Sequence, residues 1–344
     1  MRRHGNLWKK VTDEENIRLA YALAKRCKTR FRAVLAFEKD RDANLAAIRR
    51  SLLEKSFHTG AYHEKFVYEP KKRTIYVLPF APDRIVQHAL IRIVGPLWTK
   101  LFIRDSYACI DGRGIHSGSR RTMEFVRRNQ YCLKCDVQGF YMSVNHSILM
   151  DIIQRKIKCK DTLWLINDIV YSFPGGKNVP IGNLTSQWFG NLYLNELDQF
   201  VKSKLKIRDY LRYCDDFCLF HDDKKVLNEA AASIVDFLSV RLKLTLSKCD
   251  LFPVSRGVDY LGYRHFRDYI LLRKSTAKRV KRRLARLPGQ LEQRKLTPET
   301  FRSKIASAWG WMRWANCHNL AIHTRLSELM EHARNVTRRE NTTA

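Results

Sequence analysis

Two short apolar stretches that flank a pair of acids constrain the fold of this chain more than any other feature. In DYLRYCDDFCLFHDD, residues 209–223, aromatic and aliphatic residues lie on both sides of Asp215-Asp216. This pattern predicts two short strands joined by a tight acidic turn. A further apolar strand, YCLKCDV at residues 131–137, ends at an acid, Asp136. Because adjacent antiparallel strands can be distant in sequence, we expect the three acids to lie close together.

Carboxylates in such an arrangement suit hard divalent cations. Mg²⁺ prefers carboxylate oxygens and keeps waters and substrate phosphates as its other ligands. Joining a nucleotide to a primer requires two such cations about 3.5–4 Å apart, one at the attacking hydroxyl and one at the leaving pyrophosphate. An Asp-Asp turn alone is weak support for this chemistry, because acids are common in turns for structural reasons.

The chain is strongly basic. Its 344 residues include 64 Lys and Arg against 34 Asp and Glu, a formal net charge of +30. Such a charge favours a polyanionic partner, because each neutralised phosphate releases condensed counterions. We therefore expect a nucleic acid, the alternatives being a basic protein without such a partner and a membrane-surface binder. Hydrophobic residues make up 45% of the chain, which predicts a substantial core shared by two or three subdomains.

The sequence indicates a cytoplasmic protein without a membrane span. No apolar run approaches the roughly 18–20 residues that cross a bilayer. The first residues, MRRHGNLWKKVTDEEN, lack the apolar stretch of a secretory signal. The nine cysteines show no framework spacing, which suits reduced thiols. Cys132 and Cys135 form a single C-x2-C, which we interpret as two cysteines of a buried strand rather than a zinc site.

Apolar periodicity predicts helices in much of the remaining chain. Strand-like stretches lie at 62–78 and 258–266, and a Gly-rich segment, IDGRGIHSG, spans 110–118. Between Arg273 and Arg286 there are eight basic residues and no acid, which predicts a basic amphipathic helix. The predicted helices lie at 12–57, 82–100 (fading at Gly95-Pro96), 146–157, 161–172, 184–204, 224–241 and 273–291.

Several short motifs occur along the chain in a specific order. They are KKR at 71–73, KCDVQGFYMSV at 134–144, PIGNLTSQ at 180–187, YCDD at 213–216, SK at 247–248 and YLGY at 260–263. This order resembles the ordered blocks of reverse transcriptases, over residues 12–320. An aromatic-x-Asp-Asp hairpin after a D-x4-aromatic block and a G-x3-S-Q block is specific in combination, although each block alone is not.

The resemblance implies an α+β fold of the right-hand polymerase type, with fingers, a palm built on an antiparallel sheet, and a helical thumb. It implies an N-terminal helical extension at 1–60 and fingers at 61–130. The palm would span 131–270, with a fingers insertion near 145–180, and the basic helical thumb would span 271–344.

The resemblance also assigns catalytic roles. Asp136 and Asp215 would be the main metal ligands, with Asp216 more peripheral and the carbonyl of Val137 a further ligand. The cofactor would be two Mg²⁺ ions, with Mn²⁺ as the alternative metal. Lys248 would protonate the pyrophosphate as a general acid, its alternative being a plain surface lysine.

Substrate-binding residues follow from the same resemblance. Tyr141, preceded by Phe140, matches the aromatic gate that excludes a ribose 2′-hydroxyl, which favours deoxynucleotides. Its alternative is an aromatic residue packed in the palm. Lys71 and Arg73 would bind the incoming triphosphate, the alternative being solvated turn residues. Gly182 would let nucleotide and template approach the backbone.

Nucleic-acid contacts are expected at two places. The basic helix can follow a duplex backbone without reading bases, and its candidate contacts are Lys278, Lys281 and Arg282. Ile110 stands where many relatives have an Arg in a Y-x-x-R-P segment. Arg113 is the candidate substitute for that contact with the template.

The third block indicates a subgroup. Most bacterial and retroviral members carry Q-G-x3-S-P, whereas this chain has Ile181-Gly182 and Ser186-Gln187. This form, the compact length and the RWANCHNL tail resemble reverse transcriptases of diversity-generating retroelements. Ile181 in place of Gln would remove hydrogen-bond selection near the nascent base pair. We expect Ile181 and Gln187 to contact the nucleotide.

This subgroup implies particular partners. Its members copy a template-repeat RNA into DNA with frequent errors at adenines, assisted by a small basic accessory variability protein. The expected ligands are therefore an RNA template, a DNA or RNA primer and dNTPs, in a bacterial or phage-encoded cytoplasmic protein.

Two alternatives remain open. The first is a group II intron-like or defence-associated bacterial reverse transcriptase. The second is a non-catalytic RNA-binding protein whose positive charge alone binds the nucleic acid. Clustered acids inside a basic protein favour the catalytic alternatives, because a binder of polyanions has no use for them.

Overall fold

The strands that carry the acids lie in one four-stranded sheet. The computed structural model describes residues 3–68 and 73–343, and the side chains of the last helix as far as Asn335. In spatial order, the strands are Asp209–Tyr213 (β4), Asp216–His221 (β5), Tyr131–Val137 (β3) and Leu246–Pro253 (β6). The two-residue connection Cys214-Asp215 makes β4 and β5 a hairpin, as the sequence predicts.

The remaining strands form two smaller antiparallel sheets. His63–Val67 (β1) pairs with Arg73–Val77 (β2), with Val67 opposite Arg73. The third sheet consists of Val258–Tyr260 (β7), Tyr263–His265 (β8) and Ile270–Leu272 (β9). Antiparallel strands combined with many helices confirm the predicted α+β class.

Two compact units make up the chain. The first comprises Met1–Asp111, Lys134–Cys218 and Asn228–Asp250, and the second comprises Gly112–Leu133, Leu219–Leu227 and Leu251–Ala344. The helices before residue 112 are Trp8–Val11 (α1), Glu14–Lys25 (α2), Arg32–Lys39 (α3), Arg41–Leu53 (α4) and Ile85–Thr99 (α5). Those between β3 and β6 are Phe140–Ser143 (α7), His146–Gln154 (α8), Lys160–Tyr171 (α9), Leu184–Gln199 (α10) and Lys224–Arg241 (α11).

The core of the first unit follows from its helical periodicity. Asp13 caps α2, because its carboxylate accepts a hydrogen bond from the N–H of Asn16. The face of α2 that bears Ile17 and Tyr21 is buried, and α2 packs against α5. Asn145 caps α8 in the same way, accepting from the N–H of Ile148.

The prediction that the helix after Pro82 fades at Gly95-Pro96 is wrong. Helix α5 continues through both residues to Thr99. Gly95 lies so close to Trp188 of α10 that an added Cβ would be 3.1 Å from the indole ring. The glycine thus allows close packing of α5 on α10, and burial of the segment outweighs the hydrogen bond that Pro96 cannot make.

A helix that the sequence does not predict follows the Gly-rich segment. It spans Ile115–Arg128 (α6) and lies in the second unit. Small and polar residues, including Gly118, Ser119 and Thr122, share its buried face with Phe125 and Val126. Because these residues interrupt the apolar stripe, the periodicity of the helix is hidden in the sequence.

The rest of the second unit is largely helical. Its helices are Lys274–Glu292 (α12), Pro298–Met312 (α13), His318–His323 (α14) and Leu326–Thr343 (α15). Buried Val280, Leu284 and Leu287 on α12 belong to one apolar cluster with Phe301 and Ile305 of α13. This is the apolar stripe that the sequence predicts for the basic helix. Among the described residues, no helix has both the length and the apolar character needed to span a membrane.

Candidate active site

The two acids at the end of β3 and at the turn of the β4–β5 hairpin are neighbours. Strand β5 lies next to β3 in the sheet. The backbone N–H of Val137 donates a hydrogen bond to the carbonyl of Asp215, with an N–O distance of 3.3 Å. Asp136, which precedes Val137, and Asp215 are both partly buried. The sheet therefore brings together two carboxylates that are 79 residues apart in sequence.

The electrostatics of this acid pair favour a cation. Burial raises the pKa of the Asp215 carboxyl above its ordinary value, and the negative charge of Asp136 raises it further. A hydrogen bond from its own backbone and the guanidinium groups of Arg73 and Arg212 act in the opposite direction. Two carboxylates of this kind fit the oxygen donors that Mg²⁺ and Mn²⁺ prefer.

The third acid does not complete a three-ligand cluster. Asp216 is the first residue of β5 and is partly buried. Within residues 3–68 and 73–343, no group of three or more His, Cys, Asp or Glu side chains is arranged to hold a metal ion. The acid site therefore consists of the Asp136–Asp215 pair, with Asp216 beside it in sequence.

A serine that has no predicted role contacts this pair. The hydroxyl of Ser247, on β6, donates to the Asp136 carboxylate at 2.5 Å and lies 3.2 Å from its carbonyl oxygen. Its neighbour Lys248, the predicted general acid, instead forms an ion pair with Asp250 at 2.9 Å, and both side chains are half-exposed. The SK motif was the available signal, but Ser247 is the member of the motif that contacts the acid pair.

Two aromatic residues lie beside the acid turn. Gly139, in the left-handed region with φ 51°, precedes the short helix α7 that carries Phe140 and Tyr141. The Tyr141 hydroxyl lies 4.0 Å from the sulfur of Cys214, the residue before Asp215. Burial raises the pKa of the Tyr141 phenol. The structure thus places the predicted aromatic gate next to the acid turn.

A glycine of α10 allows this aromatic packing. An added Cβ on Gly190 would lie 3.0 Å from the Phe140 ring and 3.2 Å from the Tyr141 ring. The two rings are 5.1 Å apart between centroids. A side chain at Gly190 would therefore displace the aromatic pair from beside the hairpin.

The loop before α10 joins the β1–β2 hairpin. The N–H of Tyr76, on β2, donates to the carbonyl of Ile181 at 2.8 Å. Gly182 has φ 122°, and an added Cβ would lie 2.6 Å from the side chain of Ile75 and 2.8 Å from the carbonyl oxygen of Tyr76. Only glycine suits this position, because both the backbone conformation and the close approach of β2 exclude a side chain.

The other predicted nucleotide-binding residues differ in their exposure to solvent. Arg73, at the start of β2, is exposed, and its charge acts on Asp215. Gln187 is exposed on the first turn of α10, and Ile181 is partly buried. Lys71 lies outside the described residues. The first unit therefore brings Arg73, Tyr141 and the acid pair into one region.

The predicted nucleic-acid contacts belong to the second unit. Lys278, Lys281 and Arg282 are exposed on α12, away from its buried apolar stripe. Arg113 lies partly buried in the segment between Gly112 and Gly114, which precedes α6. This unit thus presents a basic helical surface, as the sequence predicts.

Comparisons with known proteins agree with the motifs. The family described as Reverse transcriptase (RNA-dependent DNA polymerase) matches residues 67–265. Protein YkfC of Escherichia coli strain K12 is 25% identical over 291 residues, covering 70% of this chain and 74% of YkfC. The group II intron-encoded protein LtrA of Lactococcus lactis subsp. cremoris is 22% identical, covering 38% of this chain and 23% of LtrA.

A solved structure is also similar. Telomerase from Candida albicans, in complex with a fragment of telomeric RNA, matches with a TM-score of 0.45 and 11% identity, covering 83% of this chain and 63% of that chain. This chain thus spans less than a quarter of LtrA and less than two thirds of the telomerase chain. Because the family match covers more than half of its residues, the chain belongs to the reverse transcriptase family and is by class an RNA-directed DNA polymerase.

Proposed function

We propose that this protein copies RNA into DNA at the Asp136–Asp215 pair. The observation that carries the proposal is the pairing of these carboxylates across β3 and the hairpin turn, with the pKa of Asp215 raised by burial and by Asp136. Asp136 and Asp215 would hold the divalent ions, with the Val137 carbonyl and Asp216 as further ligands. The chemistry supplied by bound ions would be activation of the primer 3′-hydroxyl and stabilisation of the leaving pyrophosphate.

The protein's own residues would orient the nucleotide. Arg73 would bind the triphosphate, since its exposed guanidinium lies within electrostatic range of Asp215. Tyr141, with Phe140 beside it, would fill the space that a ribose 2′-hydroxyl needs and so favour dNTPs. Ser247 would hold the Asp136 carboxylate in a fixed orientation.

We further propose that the chain is a mutagenic reverse transcriptase of a diversity-generating retroelement, in which Ile181 and Gln187 contact the nucleotide. Such an enzyme would copy a template-repeat RNA with errors at adenines, and a small basic accessory variability protein would assist it. The I-G-x3-S-Q form of the third block supports this proposal. Because the Ile181 side chain has no hydrogen-bonding group, a wrongly shaped base pair near it would leave no polar atom unpaired.

The proposed subdomains are those of the right-hand polymerases. Residues 1–60 would form an N-terminal extension, 61–130 the fingers, 131–270 the palm and 271–344 the thumb. In the thumb, Lys278, Lys281 and Arg282 would contact the backbone of the primer–template duplex, since they are exposed on a helix with a net positive charge. Arg113 would contact the template.

A group II intron-like enzyme is the second candidate. The similarity to LtrA, whose name describes it as a group II intron-encoded protein, favours it. The two candidates share the polymerase chemistry and differ in fidelity and in genomic context. The context itself discriminates them, because a diversity-generating element carries a near-duplicate repeat pair that differs mainly at adenines of one copy.

The test of the proposed function is primer extension on one defined RNA template, with the products sequenced. Extension that requires Mg²⁺ or Mn²⁺ supports polymerase activity, and an excess of substitutions opposite template adenines supports the mutagenic subgroup. Uniform low error at all four template bases would remove the mutagenic proposal and leave the intron-like candidate. Absence of extension on RNA and DNA templates alike would contradict both.

A further inference from the structure

A fully buried arginine belongs to the hairpin that carries Asp215. Arg212 is on β4, three residues before Asp215, and its side chain is 0% exposed. We propose that Arg212 is a positioning residue that fixes the Cys214-Asp215 turn. This inference rests on the proposed function, since it concerns how one proposed metal ligand is held in place.

The guanidinium is anchored from α10. Its Nε donates to Asp198 Oδ1 at 2.8 Å, and its Nη2 donates to Asp198 Oδ2 at 2.7 Å. The Asp198 side chain is also 0% exposed, and it accepts a third hydrogen bond, from the hydroxyl of Tyr210 at 2.6 Å. This two-point pairing restricts the plane of the guanidinium to one orientation.

The remaining nitrogen reaches the turn itself. Arg212 Nη1 donates to the carbonyl oxygen of Cys214 at 2.9 Å and lies 3.2 Å from Asn191 Oδ1. Cys214 has φ 54°, in the left-handed region that a residue with a side chain enters only at an energetic cost. The donor that satisfies its carbonyl therefore supports a conformation that aims the next residue, Asp215.

The same group of residues also fixes a second loop. Asn191 donates from Nδ2 to the carbonyl of Ala108 at 2.8 Å. The backbone of Arg212 accepts from the N–H of Tyr107 at 3.0 Å and donates to the carbonyl of Asp105 at 2.9 Å. The acid turn is thus bound by the Arg212 side chain, and the 105–108 segment is bound by the Arg212 backbone and by Asn191 of α10.

Energetics favour a geometric role over a stabilising one. A buried ion pair loses hydration that its mutual attraction often only balances, so apolar residues of similar size would serve stability equally well. A guanidinium supplies what they cannot, namely a rigid set of donors that pairs with Asp198 and still reaches the Cys214 carbonyl. Lysine, with a single nitrogen, cannot reproduce the two-point pairing with Asp198 and also place a second nitrogen at the Cys214 carbonyl.

The test compares Arg212→Lys with Tyr210→Phe. The lysine keeps the charge opposite Asp198 but loses the bond to the turn, whereas Tyr210→Phe weakens the support of Asp198 and leaves that bond in place. Three readouts are taken on the folded, full-length variants at a temperature well below their melting points. They are deuterium exchange of the hairpin peptide 209–221 and the Mn²⁺ affinity measured by electron paramagnetic resonance, with the Mg²⁺ dependence of kcat as a third.

We expect Arg212→Lys to speed exchange at the turn and to weaken Mn²⁺ binding about fivefold or more, with less than a twofold effect of Tyr210→Phe on the affinity. Equal exchange and equal Mn²⁺ affinity in Arg212→Lys and wild type would overturn the proposal, even if the melting temperature falls. If Arg212→Lys fails to fold, Arg212→Met combined with Asp198→Leu, which leaves no buried charge, decides in the same way. Exchange at the turn is informative even if the wild-type protein extends no primer. A failure of the proposed function can therefore be distinguished from a failure of the positioning role of Arg212.

Discussion

The hydroxyl of Ser247 donates a hydrogen bond of 2.5 Å to the carboxylate of Asp136. A hydrogen bond to a charged group contributes about 1.5–3 kcal/mol when buried and less when exposed to water, as Ser247 is. We therefore expect Ser247→Ala to lower kcat about tenfold, because the Asp136 carboxylate loses its fixed orientation. Steady-state primer extension measures the effect, with Ser239→Ala at an exposed position of α11 as control. Equal kcat in Ser247→Ala and Ser239→Ala would contradict this role.

Tyr141 is expected to select the sugar. Its ring packs against Phe140 and lies beside the acid turn, so that Tyr141→Ala should open space for a 2′-hydroxyl. The measurement is the ratio of kcat/KM for dNTP to that for the matching rNTP, which should fall roughly tenfold to a hundredfold. Tyr141→Phe keeps the ring and should keep the ratio. An unchanged ratio in Tyr141→Ala would leave Tyr141 as a packing residue only.

Ile181 is expected to lower fidelity. Ile181→Gln should reduce substitutions opposite template adenines, because a polar group there penalises a wrongly shaped pair by about 1–3 kcal/mol, or roughly tenfold to a hundredfold. The bond that Ile181 makes to Tyr76 uses its backbone carbonyl and survives the substitution. Sequencing of cDNA from one RNA template gives the error rates, with Ile181→Val as the apolar control. An identical error spectrum in the wild type, Ile181→Gln and Ile181→Val would show that Ile181 does not determine the errors.

His265 should make stability depend on pH. Its imidazole is buried, with Nε2 2.8 Å from the Ser119 hydroxyl and Nδ1 3.1 Å from the carbonyl of Val258. Burial lowers the pKa of His265 to about 4, against the opposing effects of Val258 and Asp259. Below a pH of about 6.5, which is the pKa of His265 in the unfolded chain, the unfolded chain binds a proton at His265 that the folded chain does not bind. The stability that His265 contributes is therefore complete above pH 6.5 and lost as the pH falls towards 4.

The loss through His265 amounts to about 1.4 kcal/mol per pH unit at most. Chemical denaturation of the wild type and of His265→Asn at pH 7, 6 and 5 tests this, since the variant keeps a donor near Val258 but does not titrate. The free energy of unfolding should fall more steeply with decreasing pH in the wild type. Parallel losses in the two proteins would assign the pH dependence to other groups, such as His88, whose pKa burial also lowers to about 4.

The parts of the fold that could be predicted are those that local patterns encode. Strand β3 has the predicted bounds, 131–137, because a short apolar run ends there at an acid, and α11 has the predicted bounds, 224–241, because its apolar residues recur at helical spacing. Helix α6 could not be predicted, since half of its buried residues are small or polar. The continuation of α5 through Pro96 depends on packing against Trp188, which is distant in sequence.

The site divides in the same way. The motifs predict that Asp136 and Asp215 are neighbours, because acids at strand ends and turns leave a local signature. The contact of Ser247 with Asp136 and the burial of Arg212 with Asp198 have no such signature. The first depends on which strand lies next to β3 in the sheet, and the second on which helix packs against β4. A serine or an arginine in an isolated strand gives no indication of its partner.

The most direct test of the account is the metal-dependent activity of Asp215→Ala, measured together with its affinity for RNA. The substitution removes one of two paired carboxylates that would hold the ions, and metal catalysis contributes several kcal/mol, so that extension should fall about a thousandfold or more. RNA affinity should not fall, because an acid does not bind a polyanion. Asp236→Ala, on the exposed face of α11, is the matched control and should extend primers like the wild type. Full extension by Asp215→Ala would contradict the central claim that Asp136 and Asp215 form the catalytic metal site.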